Sequence, residues 1–139
     1  MTLAAKIVKL EKRRCSDYGN EITIMSTDEE MRRKMAAIGA RYLARTATEI
    51  DDLQKMVANI ATQGKAALKD IEILAHRIRG SGAVFGYVKL SEAAGVIEMF
   101  AMDSAIKPNF DAEQLAKQFT AQIAQLALET QRALGSTAP

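Results

Sequence analysis

Apolar residues recur along this chain at spacings of three and four, the period of helices that each bury one face. Leu3, Ile7 and Leu10 mark a short amphipathic helix, and the connector after it, Cys15 to Met25, carries Gly19-Asn20 as a turn signal. Ser26 with Glu29, and Thr27 with Glu30, fit the pattern that starts a helix by reciprocal side-chain and backbone bonding. From there Met31, Met35, Ile38, Tyr42, Ile50, Leu53, Val57 and Ile60 predict one long helix with its core face on that stripe, ending near Gly64. A further helix runs from Lys65 to about Gly86, with Leu68, Ile71, Leu74, Ala75, Ile78, Gly82 and Phe85 on one arc of about 120°. The next covers Val88 to Met102, with Leu90, Ala94, Ile97 and Ala101 inward. The last opens at Asn109 or Asp111, beyond Pro108, and turns Leu115, Phe119, Ile123, Leu126 and Ala133 to one side. This pattern predicts an all-α fold: an antiparallel up-and-down four-helix bundle over residues 27–134 with an additional N-terminal helix. Residues 1–26 form that helix and its connector, and 135–139 a frayed tail.

Composition narrows the class. The chain has 139 residues, enough for one domain with a core, and 48% of them are hydrophobic, which excludes wholesale disorder. Tryptophan is absent and proline occurs only at 108 and 139, as suits helices. A net charge of +2 does not argue for nucleic acid; the basic residues concentrate at 6–14, where Lys6, Lys9, Lys12, Arg13 and Arg14 face only Glu11. That segment reads as a capping helix with a solvated basic face in preference to a membrane-surface helix. Cys15 is alone, which excludes an internal disulfide and a structural zinc site and fits a reducing compartment. With no apolar run long enough to span a bilayer, and lysines at 6 and 9 interrupting any leader, a cytoplasmic location is expected.

The candidate chemistry lies in "LAHRIRGSGAVFG", Leu74 to Gly86, which holds the one histidine beside three glycines. At about 100° per residue, His76 lies about 140° from the centre of the core arc, so the imidazole faces solvent. Glu72, Ile73, Arg79 and Gly80 are its neighbours on that face, with Lys69 and Ala83 one turn further. Gly80 leaves the floor below the ring open to close approach by a partner; Gly82, on the core side, lets a neighbouring helix come near. Gly86 is placed to end the helix. The glycines do not form a nucleotide loop, since they follow a helix and lack the loop lysine, and one histidine with one cysteine gives little support to a catalytic triad or zinc hydrolase.

The string "AHRIRGSGAVFGYVKL" resembles the signature of histidine-containing phosphotransfer domains, met here by His76, Ile78, Arg79, Gly80, Ser81, Gly82 and Gly86. Leu90 and "VIE", Val96 to Glu98, resemble the helix that follows in that family. Two positions depart from the pattern: Arg79 stands where lysine is commoner, and Tyr87 where a small residue is. The resemblance implies a phosphorelay intermediate without a kinase or ATP-binding domain of its own. His76 would accept a phosphoryl group from a receiver-domain aspartyl phosphate and pass it to another response-regulator receiver. Arg79 would hold phosphate oxygens, helped by Lys69 or Arg77, and Ser81 would make a supporting hydrogen bond across the helix pair or to its own turn. Lys69, Glu72, Ile73, Arg77 and Ala83 would meet the partner; Gly82 and Gly86 would be structural. No cofactor is implied in this chain, Mg2+ being expected on the receiver. Partners would be receivers, with a hybrid sensor kinase as a further candidate, and the resemblance implies no nucleic acid, no membrane insertion and a monomeric chain. The alternative is an unphosphorylated four-helix adaptor using the same face.

Overall fold

The computed structural model describes the backbone of residues 17–137 and the side chains of 27–136. Within them lie helix α1 (Asp17–Ala58), a single turn α2 (Ile60–Gln63), α3 (Lys65–Val84), α4 (Val88–Ala105) and α5 (Ala112–Thr137). The described residues contain helices and no strand. The expected helix over residues 1–14 lies outside them.

The chain divides into two units, Met1–Gly39 and Ala40–Pro139, with α1 passing from one to the other. In the first unit the backbone is helical from Asp17, so neither the connector with its Gly19-Asn20 turn nor a helix start at Ser26-Thr27 is observed. A glycine inside a helix costs only about 1 kcal/mol, and the Glu, Met, Arg and Lys residues that follow favour the helix enough to carry it through. Met31, Met35 and Ile38 are 58%, 55% and 39% exposed, against the expectation that they continue the core stripe. Periodicity identifies a face able to be buried; it does not say where its cover ends.

The second unit is the four-helix bundle. Leu43, Leu53, Leu68, Ile71, Ile78, Leu90, Ile97, Phe119 and Leu126 are fully buried. Six of the seven expected core positions are buried within α3, and Phe85, just past its end, is half-buried. Pairing across the helices fixes their directions. Gly82 meets Leu90 and His76 meets Glu98, so α3 and α4 run antiparallel. The Tyr42 hydroxyl donates to the Ile78 carbonyl at 3.0 Å and Arg77 reaches Glu49 at 2.9 Å, so α1 runs antiparallel to α3. Phe100 packs edge-on against Phe119, with ring centroids 4.9 Å apart, joining α4 to α5. Tyr42, Phe85 and Tyr87 stack at the end of the bundle where α3 turns into α4. Burial pushes the Tyr42 phenol above the ordinary tyrosine value.

Turns follow their local chemistry. Gly64, at φ 59°, ends α2 where the long helix was expected to stop, although α1 itself breaks at Asn59. The Asp111 carboxylate accepts from the Glu113 and Gln114 amides and so caps α5, resolving the choice between Asn109 and Asp111. At the other end α5 stays helical through Thr137, where a frayed tail from Gly135 was expected; the Ser136 hydroxyl bonds back to the Ala133 carbonyl and completes the last turn. No helix among the described residues is long and apolar enough to cross a membrane.

Candidate functional site

The site is built by the α3–α4 hairpin. Gly86 adopts φ 82°, which L side chains rarely take, and two hydrogen bonds close the helix end: Tyr87 N–H to the Gly82 carbonyl at 2.8 Å and Gly86 N–H to the Ala83 carbonyl at 3.1 Å. Gly86 is thus the expected terminator. The tight turn folds α4 back along α3. A Cβ on Gly82 would lie 3.0 Å from Leu90 Cδ2 and 3.3 Å from the Tyr42 hydroxyl, so the missing side chain is what lets three helices meet. A Cβ on Gly80 would meet nothing within 4 Å. The two glycines therefore differ in surroundings: Gly82 is packed against neighbouring helices, and Gly80 faces open space.

His76 stands on the exposed face of α3, its side chain 64% exposed. Ile73, Arg77, Arg79, Gly80, Ala83 and Val84 are exposed around it, and Glu72 is half-buried. Beside the ring an open depression of about 430 Å3 is lined by His76, Arg77, Gly80, Ser81, Val84 and Phe85. Ile73 and Val84 add exposed apolar surface to the same face.

The imidazole is not free to turn. Its Nδ1 lies 2.6 Å from Oε2 of Glu98, a residue of α4 that is 8% exposed. A carboxylate only accepts, so the proton of this bond is on Nδ1 and the ring donates it. In the neutral ring Nε2 then carries the lone pair, and it has no hydrogen bond to any described residue. The other carboxylate oxygen, Oε1, takes the Arg79 Nε at 2.6 Å, and Arg79 Nη2 lies 3.3 Å from His76 Nδ1. Because Nδ1 already bears its proton, that third distance is a packing contact. The Arg79 stem crosses α4 at Gly95, where a Cβ would lie 3.1 Å from Arg79 Cδ.

Several expected roles are placed differently. Arg79 was expected to point at phosphate oxygens, but its Nε is turned into Glu98. Arg77 pairs with buried Glu49 of α1, and Lys69 with Glu72 on its own helix at 3.3 Å. The bond across the helix pair is made by Ser91, whose hydroxyl donates to the Arg79 carbonyl at 2.8 Å; Ser81 contributes its carbonyl, which accepts from Phe85 N–H. Ser91 makes the bond because it sits in the first turn of α4, opposite the last turns of α3. Sequence reasoning missed Glu98, Gly95 and Ser91 as parts of this site. The available signal was a lone carboxylate inside the apolar run Val96 to Ala101.

Comparison with curated proteins gave no match, and comparison with solved structures gave none. The model of the Hpt domain family matches residues 40–133, which are the bundle. With that match over most of the chain, an outward histidine on the second long helix and the signature around it, the chain belongs to the Hpt domain family, whose members are phosphocarrier modules of phosphorelays.

Proposed function

We propose that His76 is the phosphoacceptor, taking a phosphoryl group on Nε2 from the aspartyl phosphate of one receiver domain and passing it to the aspartate of another. The observation that carries this reading is the Nδ1–Glu98 contact on an exposed side chain, which in the neutral ring leaves Nε2 as the free nitrogen, beside an open helix floor. Neutral imidazole with a free lone pair is a competent nucleophile. In the forward step the Nε2 lone pair attacks phosphorus and an N–P bond forms. The acyl P–O bond breaks, and the aspartate carboxylate leaves with the electron pair. The ring becomes an imidazolium bearing the phosphoryl group on Nε2 and its original proton on Nδ1. That proton faces the Glu98 carboxylate, which stabilises the positive charge as it develops, as the buried carboxylate of a hydrolase triad does. Attack by the second aspartate reverses the step and restores the neutral ring.

Transfer of a metaphosphate-like group needs alignment and neutralisation of the oxygens more than covalent help from the carrier. Here Arg77, Arg79 and Lys69 are each paired with a carboxylate of this chain. Neutralising charge would come from the Mg2+ expected on the receiver. Gly80 lets the receiver approach closely, while Ile73, Ala83 and Val84 offer it apolar contact. The same reading makes the chain a monomeric carrier in the cytoplasm, next to receivers and a hybrid sensor kinase. A panel of phosphorylated receivers tests it: at least one should label the wild type and none should label His76→Gln. Receivers that bind both proteins equally and label neither would make the chain an unphosphorylated adaptor.

A further inference from the structure

We propose that Arg41, Arg45 and Arg77 form a docking edge along one side of His76, which meets carboxylates on the receiver surface beside its acceptor aspartate and so selects which receivers this chain serves. The inference rests on the reading of His76 as acceptor and adds the chemistry of the surface its partner must present.

The edge is built within the second unit by α1 and α3. Two contacts fix the register of this antiparallel pair. Arg77 Nη2 meets Glu49 at 2.9 Å, and the Tyr42 ring stacks on Phe85 with centroids 4.9 Å apart. Arg45 lies one turn from Glu49 toward Tyr42, and Arg41 one turn further. Both therefore run alongside the depression that leads from His76 and Arg77 past Ser81 to Phe85. Each step of four residues turns the position by about 40°. Glu49 is buried at the rim, and Arg45 and Arg41, turned progressively away from the core, are exposed.

Three features mark the edge as a contact surface. Its cations are available: Arg41 and Arg45 have no hydrogen bond or ion pair among the described residues. Arg77 is held and aimed by Glu49, which is 7% exposed and takes one N–H; the other donors of this fork stand on a side chain that is 61% exposed. The strip is also local, since the same edge of α1 turns acidic one turn beyond Glu49, at Asp52. Finally, the two sides of His76 differ. The outer face of α4 presents Glu92, Val96 and Met99, so a protein seated on the ring meets cations on the α1 side and apolar groups with a carboxylate on the other. Arginine forks take carboxylates through two N–H groups at once, which suits the edge to acidic side chains. Exposed charges at the rim of an interface act on encounter and on choice of partner more than on the chemical step.

The test compares the full wild-type chain with the double variant Arg41→Gln, Arg45→Gln and with Arg77→Gln. Glutamine removes the charge without placing a like charge beside Glu49, and at 77 it keeps an amide donor for that carboxylate. The second-order rate of transfer from the receiver that labels wild type fastest is measured at low and at high salt. The double variant should lose roughly tenfold at low salt, and the loss should fade at high salt, where exposed charges are screened. Its rate at saturating receiver should match wild type, as should its labelling by phosphoramidate, a small donor with no docking surface. Arg77→Gln should lose second-order rate with the same salt dependence. A receiver whose facing carboxylates are changed to amides should be as slow with wild type as with the double variant, because each change removes the same contacts. Equal second-order rates and equal salt dependence for wild type and the double variant would overturn the proposal. So would an equal loss with phosphoramidate, since the arginines would then act on the ring. Binding of unphosphorylated receivers, followed through amide shifts, separates this edge from the acceptor reading. Receivers that bind wild type more tightly than the double variant and label neither would keep the edge and remove the acceptor. Receivers that bind both alike, or bind neither, would overturn the edge.

Discussion

Gly80 and Gly82 lie two residues apart in one helix, and alanine should do opposite things at them. Both substitutions remove the conformational freedom of glycine from the unfolded chain, a gain of about 0.5–1 kcal/mol in a helix interior. At Gly80 nothing opposes it, since the new methyl enters open space. At Gly82 the methyl would sit 3.0 Å from Leu90 Cδ2, 3.3 Å from the Tyr42 hydroxyl and 3.4 Å from Ser91 Cβ, all inside the usual carbon contact distance of about 3.5–4.0 Å. Leu90 is 1% exposed and has nowhere to retreat, and the Tyr42 hydroxyl is tied to Ile78. Overpacking of this kind costs about 1–3 kcal/mol. The propensity gain is common to both, so the difference between the variants isolates the steric cost. Gly80→Ala should be more stable than wild type by up to about 1 kcal/mol and more stable than Gly82→Ala by about 1–3 kcal/mol. Urea denaturation of the three proteins, followed by helical circular dichroism, measures this directly. A Gly82→Ala protein as stable as Gly80→Ala would refute the claim that close approach of α4 requires the glycine.

The same Gly80→Ala protein, though more stable, should take phosphate from its receiver more slowly, because the added methyl raises the floor the partner must approach; unchanged transfer in a single-turnover assay would remove that role. Gly86→Ala places a Cβ at φ 82° and should lower stability by about 1–2 kcal/mol in the same urea assay. Asp111→Ala removes the cap of α5 and should cost about 1 kcal/mol, read as a lower urea midpoint. Tyr42 gives a pH signature. Its folded pKa is raised above the unfolded value of 10.0, so the stability it contributes is present below pH 10 and is lost as pH rises through and above it. Thermal unfolding scanned from pH 9 upward should show a steeper loss in wild type than in Tyr42→Phe; parallel curves would place the ionisation elsewhere.

The outward histidine, the inner and outer glycines and the turn at Gly86 were legible because each is a property of one helix and its own period. So was Asp111, a cap that acts on its own first turn. What the sequence left unread depends on two helices at once. Glu98 is 22 residues from His76, and its charge in an apolar run makes sense only after the hairpin brings it to the ring. Arg79 reads as a free cation until its carboxylate is in place, and Arg77 likewise until Glu49 arrives from α1. Gly95 is unremarkable as a sequence position; only the arginine stem lying across it explains why it has no side chain. Met31, Met35 and Ile38 mislead in the opposite sense, since they keep the period of the core stripe while remaining exposed.

The central claim is that His76 carries the phosphoryl group on the nitrogen that Glu98 leaves free. The most direct measurement is 31P–15N correlated spectroscopy on the 15N-histidine protein after phosphorylation by a receiver. The chain has one histidine, so the assignment is unambiguous. The account predicts a single phosphorus signal coupled to Nε2, with Nδ1 still protonated. A phosphorus coupled to Nδ1, or label that survives in His76→Gln, would contradict it.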